Sequence, residues 1–211
     1  NKVPPEATSI SRSPLIIILT GPDGDNFCFT KRSKLIRSKE ITKKATTVAI
    51  TVPVVPALLG IAEQLETTGR GFLDAFIVGY EVECLIGEMM GLAHYDHGWH
   101  ATATVGTFGA AAGAARLLGL NAEQASMALG IAGTQAAGLK SMFGTMCKPL
   151  HAGKAAMNGL MAARWAGQGF TSRDDVLECA QGFGLTQSSD FKALNIRSDK
   201  SRPFAVEENL F

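Results

Sequence analysis

From about residue 53 onward, apolar residues recur every three or four positions, which is the spacing of one face of an α-helix. The stretch VPALLGIAEQLETTG predicts a first helix, with Pro56 near its first turn and Gly69 beyond its end. The stretch GFLDAFIVGYEVECLIGEMMG predicts a second helix. The two apolar faces consist of Leu58, Ala62 and Leu65 in the first helix and Phe72, Phe76, Gly79, Val82 and Ile86 in the second.

The next two helices are marked by residues that begin and end helices. An Ala/Gly-rich helix is predicted over about 102–118, and Gly119 ends it by taking the left-handed conformation that glycine permits. Asn121 fits a helix N-cap, and Gln124 stands three residues later, where a capping box requires Glu or Gln. The segment AEQASMALGIAGTQAAG is therefore predicted to be helical from its first residue.

Further along, a helix is predicted over about 152–166, before the breaker GQG. Thr171 or Ser172 can cap a last short helix over 173–180. Strand patterns are almost absent after residue 55, so the sequence predicts an all-α, bundle-like fold with tightly packed Ala/Gly-rich helices.

The residue composition and the helical periodicity change along the chain, and from these changes we predict three segments. Residues 1–50 form an irregular N-terminal segment with a turn, GPDGDN, and a basic run, KRSKLIRSKEITKK. Residues 51–182 form the helical domain, and 183–211 form a C-terminal tail. No aromatic residues interleave the basic run, so we interpret it as solvated rather than as an RNA contact.

The amino-acid composition and the net charge of the chain exclude several classes of protein. The 211 residues are 46% hydrophobic and 18% charged, with a net charge of +1, which favours a globular protein without affinity for nucleic acid or anionic membranes. Small side chains let helices approach closely but bury little apolar area each, so a homodimer interface is expected to add stability. The four cysteines contain no CxxC pair, and no apolar run is long enough for a membrane span. We therefore expect a cytoplasmic protein, with the mitochondrial matrix as the alternative in a eukaryote.

Three of the four histidines, His94, His97 and His100, fall within seven residues, HYDHGWH. They could bind one metal ion, but the only nearby carboxylate is Asp96 and there is no HExxH motif, so solvated loop histidines are the better interpretation. A third interpretation applies to His100 alone. It stands at the start of the helix over 102–118, whose unpaired backbone N–H groups attract an anion, and a histidine there can act as acid, base or anion clamp.

A second polar cluster lies in MCKPLHAGKAAMNG, where Lys148, His151 and Lys154 recur every three residues at a helix start. Cationic groups at the positive end of a helix are unfavourable unless an anion binds there. Solvated lysines and an anion site are about equally well supported by this pattern.

These motifs resemble the MmgE/PrpD family of 2-methylcitrate dehydratases and cis-aconitate decarboxylases. The resemblance rests on GYEVECLIGEMM, on GWHATATVGTFGAAAGAARLLGL and on KPLHAGKAAMNGLMAARWAGQGFTS, and it covers about residues 53–180. It implies an all-α domain, usually homodimeric, of a lyase that acts on small di- and tricarboxylates without a metal or other cofactor. It also implies that His100 and Lys148 are catalytic and that both line the polycarboxylate pocket. From its place beside Lys148 in the second cluster, His151 is predicted to assist them in substrate binding.

The sequence also departs from the family pattern. The family carries an acidic DxDD-type stretch and an HP histidine before the helix that matches PVVPALL, whereas this chain has the basic run and Ala49 there. The α/β lid domain that completes the family's active site is absent from these 211 residues. The alternative to a lyase is therefore a non-catalytic, truncated paralogue that retains the fold and the dimer surface.

Overall fold

The computed structural model describes residues 51–193 and 204–208. Within them the chain is all α-helical apart from loops and one isolated antiparallel β-bridge between Trp99 and Leu139. The helices are α1 (Thr51–Ala62), α2 (Gly69–Met90), α3 (Ala93–Asp96), α4 (Ala101–Leu117), α5 (Ala122–Gln135), α6 (Cys147–Gly167), α7 (Phe183–Gln187) and α8 (Ala205–Glu208). A single 3₁₀ turn, Lys140–Met142, lies between α5 and α6. The predicted fold class is confirmed.

Helix α4 is the centre of the bundle, and α1, α2, α5 and α6 all pack against it. Every residue of α4 from Thr102 to Ala115 is buried. Its alanines and glycines permit this, because a helix surrounded on all sides must present small side chains wherever a neighbour's backbone comes close. At Gly159 of α6, for example, a methyl group would lie 2.6 Å from the backbone nitrogen of Ala111.

The predicted Asn121 cap and Gly119 stop are present. The Asn121 side chain accepts from the backbone N–H of Gln124 at 2.9 Å, and the Gln124 side chain accepts from the backbone N–H of Asn121 at 3.1 Å. Gly119, just after α4, has φ +67°, a left-handed conformation that suits glycine. These contacts join residues three or four positions apart, which is why the sequence pattern was sufficient to predict them.

Three details differ from the prediction. Helix α1 ends at Ala62, so Leu65 lies in the following turn and is 44% exposed instead of on an apolar face. Residues 173–180 form turns and not a helix, because the Ser172 hydroxyl donates to the carbonyl of Met127 in α5 at 2.8 Å instead of capping a helix. Helix α6 begins at Cys147, about one turn earlier than predicted.

Residues 183–193 pack along the end of α2. Phe183 is buried in the main core, the Ser188 hydroxyl donates to the Met90 carbonyl at 2.6 Å, and the Lys192 N–H donates to the Met89 carbonyl at 2.9 Å. The domain boundary after residue 182 stays a prediction, and the irregular segment 1–50 lies outside the described residues. No helix within the described ranges has both the length and the apolar character needed to cross a bilayer.

Candidate functional site

Two loops that are distant in sequence meet at the start of α4. The backbone N–H of His100 donates to the Gly138 carbonyl at 3.0 Å, and the N–H of Lys140 donates to the Gly98 carbonyl at 2.8 Å. These two bonds form the antiparallel bridge between Trp99 and Leu139. The bridge fixes the loop before α4 against the loop before α6, and it thereby brings the GWH and KPLH motifs together.

His100 and His151 are in direct contact. Their Nδ1 atoms are 2.9 Å apart and their ring centroids are 5.2 Å apart. Both side chains are largely buried, with 9% and 8% of their surfaces exposed. His100 is the N-cap residue of α4, and His151 lies in the second turn of α6. The two predicted histidines therefore come from different helices and form one pair.

Phe143 joins Lys148 to this pair. Its ring packs edge-on against His100, with 4.8 Å between centroids, and the Lys148 Nζ lies 5.1 Å from the centroid of the same ring. Lys148 itself is exposed. Phe143 thus contacts His100 and Lys148, and His100 in turn contacts His151.

The cluster is electrostatically suited to an anion. Burial is the largest cause that lowers the pKa of His100, and the charges of His151 and Lys148 lower it further. Each of these effects disfavours a positive charge on His100. A bound carboxylate would offset the repulsion and would favour the protonated ring.

The other two histidines of the HYDHGWH stretch lie elsewhere. His97 is exposed, as expected of a loop residue. His94 is only 2% exposed, so its interpretation as a solvated loop residue is wrong. Its Nε2 contacts the Thr104 hydroxyl at 2.7 Å and its Nδ1 contacts the Gln187 carbonyl at 3.1 Å, which ties α3, α4 and α7 together.

The start of α4 offers fewer free donors than predicted. The N–H groups of Ala103 and Thr104 both donate to the His100 carbonyl, at 2.8 and 3.1 Å. An anion there must therefore depend on side chains more than on the helix terminus. Lys154 is exposed about one and a half turns beyond Lys148. Among the described residues, no group of three His, Cys, Asp or Glu side chains is placed to hold a metal ion.

The order of these motifs along the chain is that of a known family. A sequence profile of the MmgE/PrpD N-terminal domain matches residues 42–193. The chain belongs to the MmgE/PrpD family. The predicted resemblance is confirmed, and the histidine pair and Lys148 lie inside the matched region.

Curated MmgE/PrpD relatives include several cis-aconitate decarboxylases. The human cis-aconitate decarboxylase is 36% identical over 139 residues, 62% of this chain and 28% of that protein. The enzyme of the same name from Aspergillus terreus is 37% identical over 136 residues, 61% of this chain and 28% of that protein. A cis-aconitate decarboxylase-like protein of Aspergillus oryzae, oryM, is 33% identical over 162 residues, 72% of this chain and 33% of that protein. The chain therefore spans about a third or less of the length of these relatives.

Sequence reasoning missed two members of the cluster. Phe143 lies in an exposed loop with no periodic pattern, so nothing local pointed to it. Gly138 passes over the His151 ring so closely that a methyl group would clash with Ala103 and would lie 3.4 Å from two atoms of the imidazole. A glycine at the end of a helical segment is usually interpreted as a helix stop, which hid this second role.

Proposed function

We propose that this chain supplies the helical half of a lyase active site that acts on small di- or tricarboxylates, with cis-aconitate as the first candidate substrate. The observation that carries the proposal is the cluster in which His100 contacts His151 and Phe143, and Phe143 contacts Lys148. The named relatives support the decarboxylase candidate, and 2-methylcitrate dehydration is the family alternative. No metal or other cofactor is required by this proposal.

The chemistry assigns a different task to each residue. Decarboxylation breaks a carbon–carbon bond, releases CO₂ and leaves an electron pair that must be protonated at carbon. His100, in its protonated form, is suited to deliver that proton as a general acid. The Lys148 ammonium is suited to bind a substrate carboxylate and to stabilise negative charge as it develops. His151, in contact with His100, supports it from the side of α6.

Calorimetric titration with cis-aconitate and with 2-methylcitrate, with products followed by NMR in the same sample, tests the proposal. Binding with product formation supports a complete active site, and binding without product supports a half-site that needs residues from elsewhere. Absence of binding to either acid would contradict the proposal and would favour the non-catalytic paralogue.

Lys148→Ala tests the carboxylate contact. We expect Kd for the bound acid to rise about tenfold, which corresponds to about 1.5 kcal/mol, the lower end for a hydrogen bond to a charged group, because Lys148 is exposed to solvent. Lys154→Ala is the matched control, since Lys154 is also exposed and lies on the same helix. Equal affinities of the two variants would remove Lys148 from the site.

The homodimer and the cytoplasmic location remain predictions. Two apolar side chains are exposed, Leu59 of α1 at 56% and Leu73 of α2 at 59%, and a second copy could cover them. Light scattering of the purified chain measures the oligomeric state directly.

A further inference from the structure

The contact between His100 and His151 has room for one proton between the two rings, and either ring can be its donor. The two Nδ1 atoms face each other at 2.9 Å. Two Nδ1–H groups would collide, and two bare Nδ1 atoms would place lone pair against lone pair. One ring must therefore carry its proton on Nδ1 and the other must accept it. The contact contains a single proton.

The surroundings keep the two rings in this geometry. The backbone N–H of His100 is held by the Gly138 carbonyl, and the edge of Phe143 packs on its ring. The His151 ring is covered by Gly138, where no side chain would fit. Both residues are about nine-tenths buried, so the packing around the two rings restricts their rotation.

The charges near the pair favour one proton over two. Lys148 and His151 of α6 are the positive groups that act on His100. In the described ranges no carboxylate lies within salt-bridge distance of either ring. Lys140, in the loop that covers the pair, is engaged with the Tyr95 carbonyl at 2.8 Å. A second positive charge on the pair would therefore be repelled by the first charge and by Lys148, and no carboxylate of the described ranges would offset that repulsion.

We propose that His100 and His151 work as one proton relay, in which the proton shared between the Nδ1 atoms passes from one ring to the other. A proton that enters at the free Nε2 of the first ring makes it an imidazolium. Transfer of its Nδ1 proton across the contact leaves the first ring neutral with a proton on Nε2, and the second ring becomes the imidazolium. One proton has been gained in total, and the positive charge has moved by one ring.

His151 is in this scheme a positioning residue that determines the tautomer of His100. Its catalytic significance rests on the proposed function, since only a substrate can accept the proton that the relay delivers. The shared proton itself is a property of the pair and is measurable without turnover. A polyanion bound beside Lys148 would favour the charged state of the pair, so its binding should be linked to the uptake of one proton.

Long-range ¹⁵N–¹H spectra of the full chain, labelled at its four histidines and titrated from pH 5 to 9, test the relay. At high pH we expect one ring of the pair with its proton on Nδ1 and the other with its proton on Nε2. As the pH falls, the pair should bind protons in two steps separated by more than about one pH unit, as coupled sites do. Both rings as Nε2–H tautomers, or two independent single-step curves, would overturn the proposal.

His151→Asn sharpens the test, because an amide can occupy the position of Nδ1 and hydrogen-bond there but cannot carry the proton. His100 should then titrate in one step. His97→Asn, at an exposed histidine outside the cluster, should leave both steps of the pair unchanged. If His151→Asn does not fold, the tautomers and the two steps of the parent chain decide alone. Failure of the proposed function would appear in the calorimetry and would leave these spectra unaltered.

Discussion

Replacing Glu83 by Gln should change how the stability of the chain varies with pH. Glu83 lies on α2 and is 2% exposed, and its Oε2 has no hydrogen-bond partner within the described part of the chain. The carboxyl faces the bare backbone of α4 at two glycines. A methyl group at Gly109 would lie 2.6 Å from Oε2, and one at Gly106 would lie 3.3 Å from Oε1. Burial raises the pKa of Glu83 well above its usual value of 4.5.

The sign and size of the effect follow from proton linkage. In the unfolded chain Glu83 ionises at its usual pKa, whereas in the folded chain it stays protonated to higher pH. Its contribution to stability is complete below the unfolded-state pKa and is lost as the pH rises through the folded-state pKa. Between these values the free energy of unfolding falls by about 1.4 kcal/mol per pH unit from this group alone. For a chain of this size each kcal/mol corresponds to roughly 2–4 °C in Tm.

Urea denaturation followed by circular dichroism, at steps between pH 5 and pH 8, measures the effect as a difference between variants. The stability of Glu83→Gln relative to the parent should improve steadily as the pH rises, because the amide does not ionise. The difference is needed because other groups titrate too: burial also raises the pKa of Glu178 and lowers that of His94. Glu63→Gln, at an exposed site, should run parallel to the parent. Parallel curves for Glu83→Gln as well would refute the reasoning.

Two further predictions concern packing and the buried histidine. Gly159→Ala should destabilise the chain by about 1–3 kcal/mol, because the added methyl group would press on the backbone of α4, whereas Gly153→Ala on the open side of the same helix should stabilise it by about 0.5–1 kcal/mol. Urea denaturation that gave both changes the same sign would contradict the helix contact. His94→Ala should cost about 1–3 kcal/mol at pH 7.5, since the buried contact of the imidazole with the Thr104 hydroxyl is lost, and His97→Ala should stay within about 0.5 kcal/mol. The His94 deficit should shrink as the pH falls from 6.5 through the lowered folded-state pKa, where the parent itself loses the stability of the neutral ring.

The helices and their caps were predictable where the deciding contacts are local. The Asn121 capping box and the Gly119 stop involve residues three or four positions apart, and both predictions are confirmed. The helix predicted over 173–180 was wrong for the opposite reason. Its predicted capping residue, Ser172, forms a hydrogen bond with Met127, 45 positions away. A local sequence pattern cannot show that a distant carbonyl competes for the capping side chain.

In the candidate site, too, the sequence predicted individual residues from local motifs but not the contacts between residues that are distant in the chain. The sequence pattern singled out His100, Lys148 and His151 as residue types suited to an anion, but it treated each motif by itself. The Nδ1 contact joins residues 51 positions apart, and Phe143 has no recognisable motif at all. Conversely, three histidines within seven residues suggest a shared site, yet the ring of His94 contacts Thr104 and Gln187 and not the ring of His100.

The small residues of the bundle and the histidine pair are connected by one helix contact. Gly159 lies two turns after His151 on α6 and meets the backbone of α4 between two and three turns after His100. The closeness of these helices at Gly159 therefore helps to determine the separation of the two rings at their other end. A larger side chain at Gly159 should push α6 outward and lengthen the Nδ1 contact, so in Gly159→Ala the two titration steps of the pair should move closer together. Gly153→Ala, which meets nothing within 4 Å, should leave them in place. The alanine and glycine content of this sequence indicates close helix packing. At Gly159 the same close packing also sets the distance between the two rings, and it thereby holds the shared proton in position.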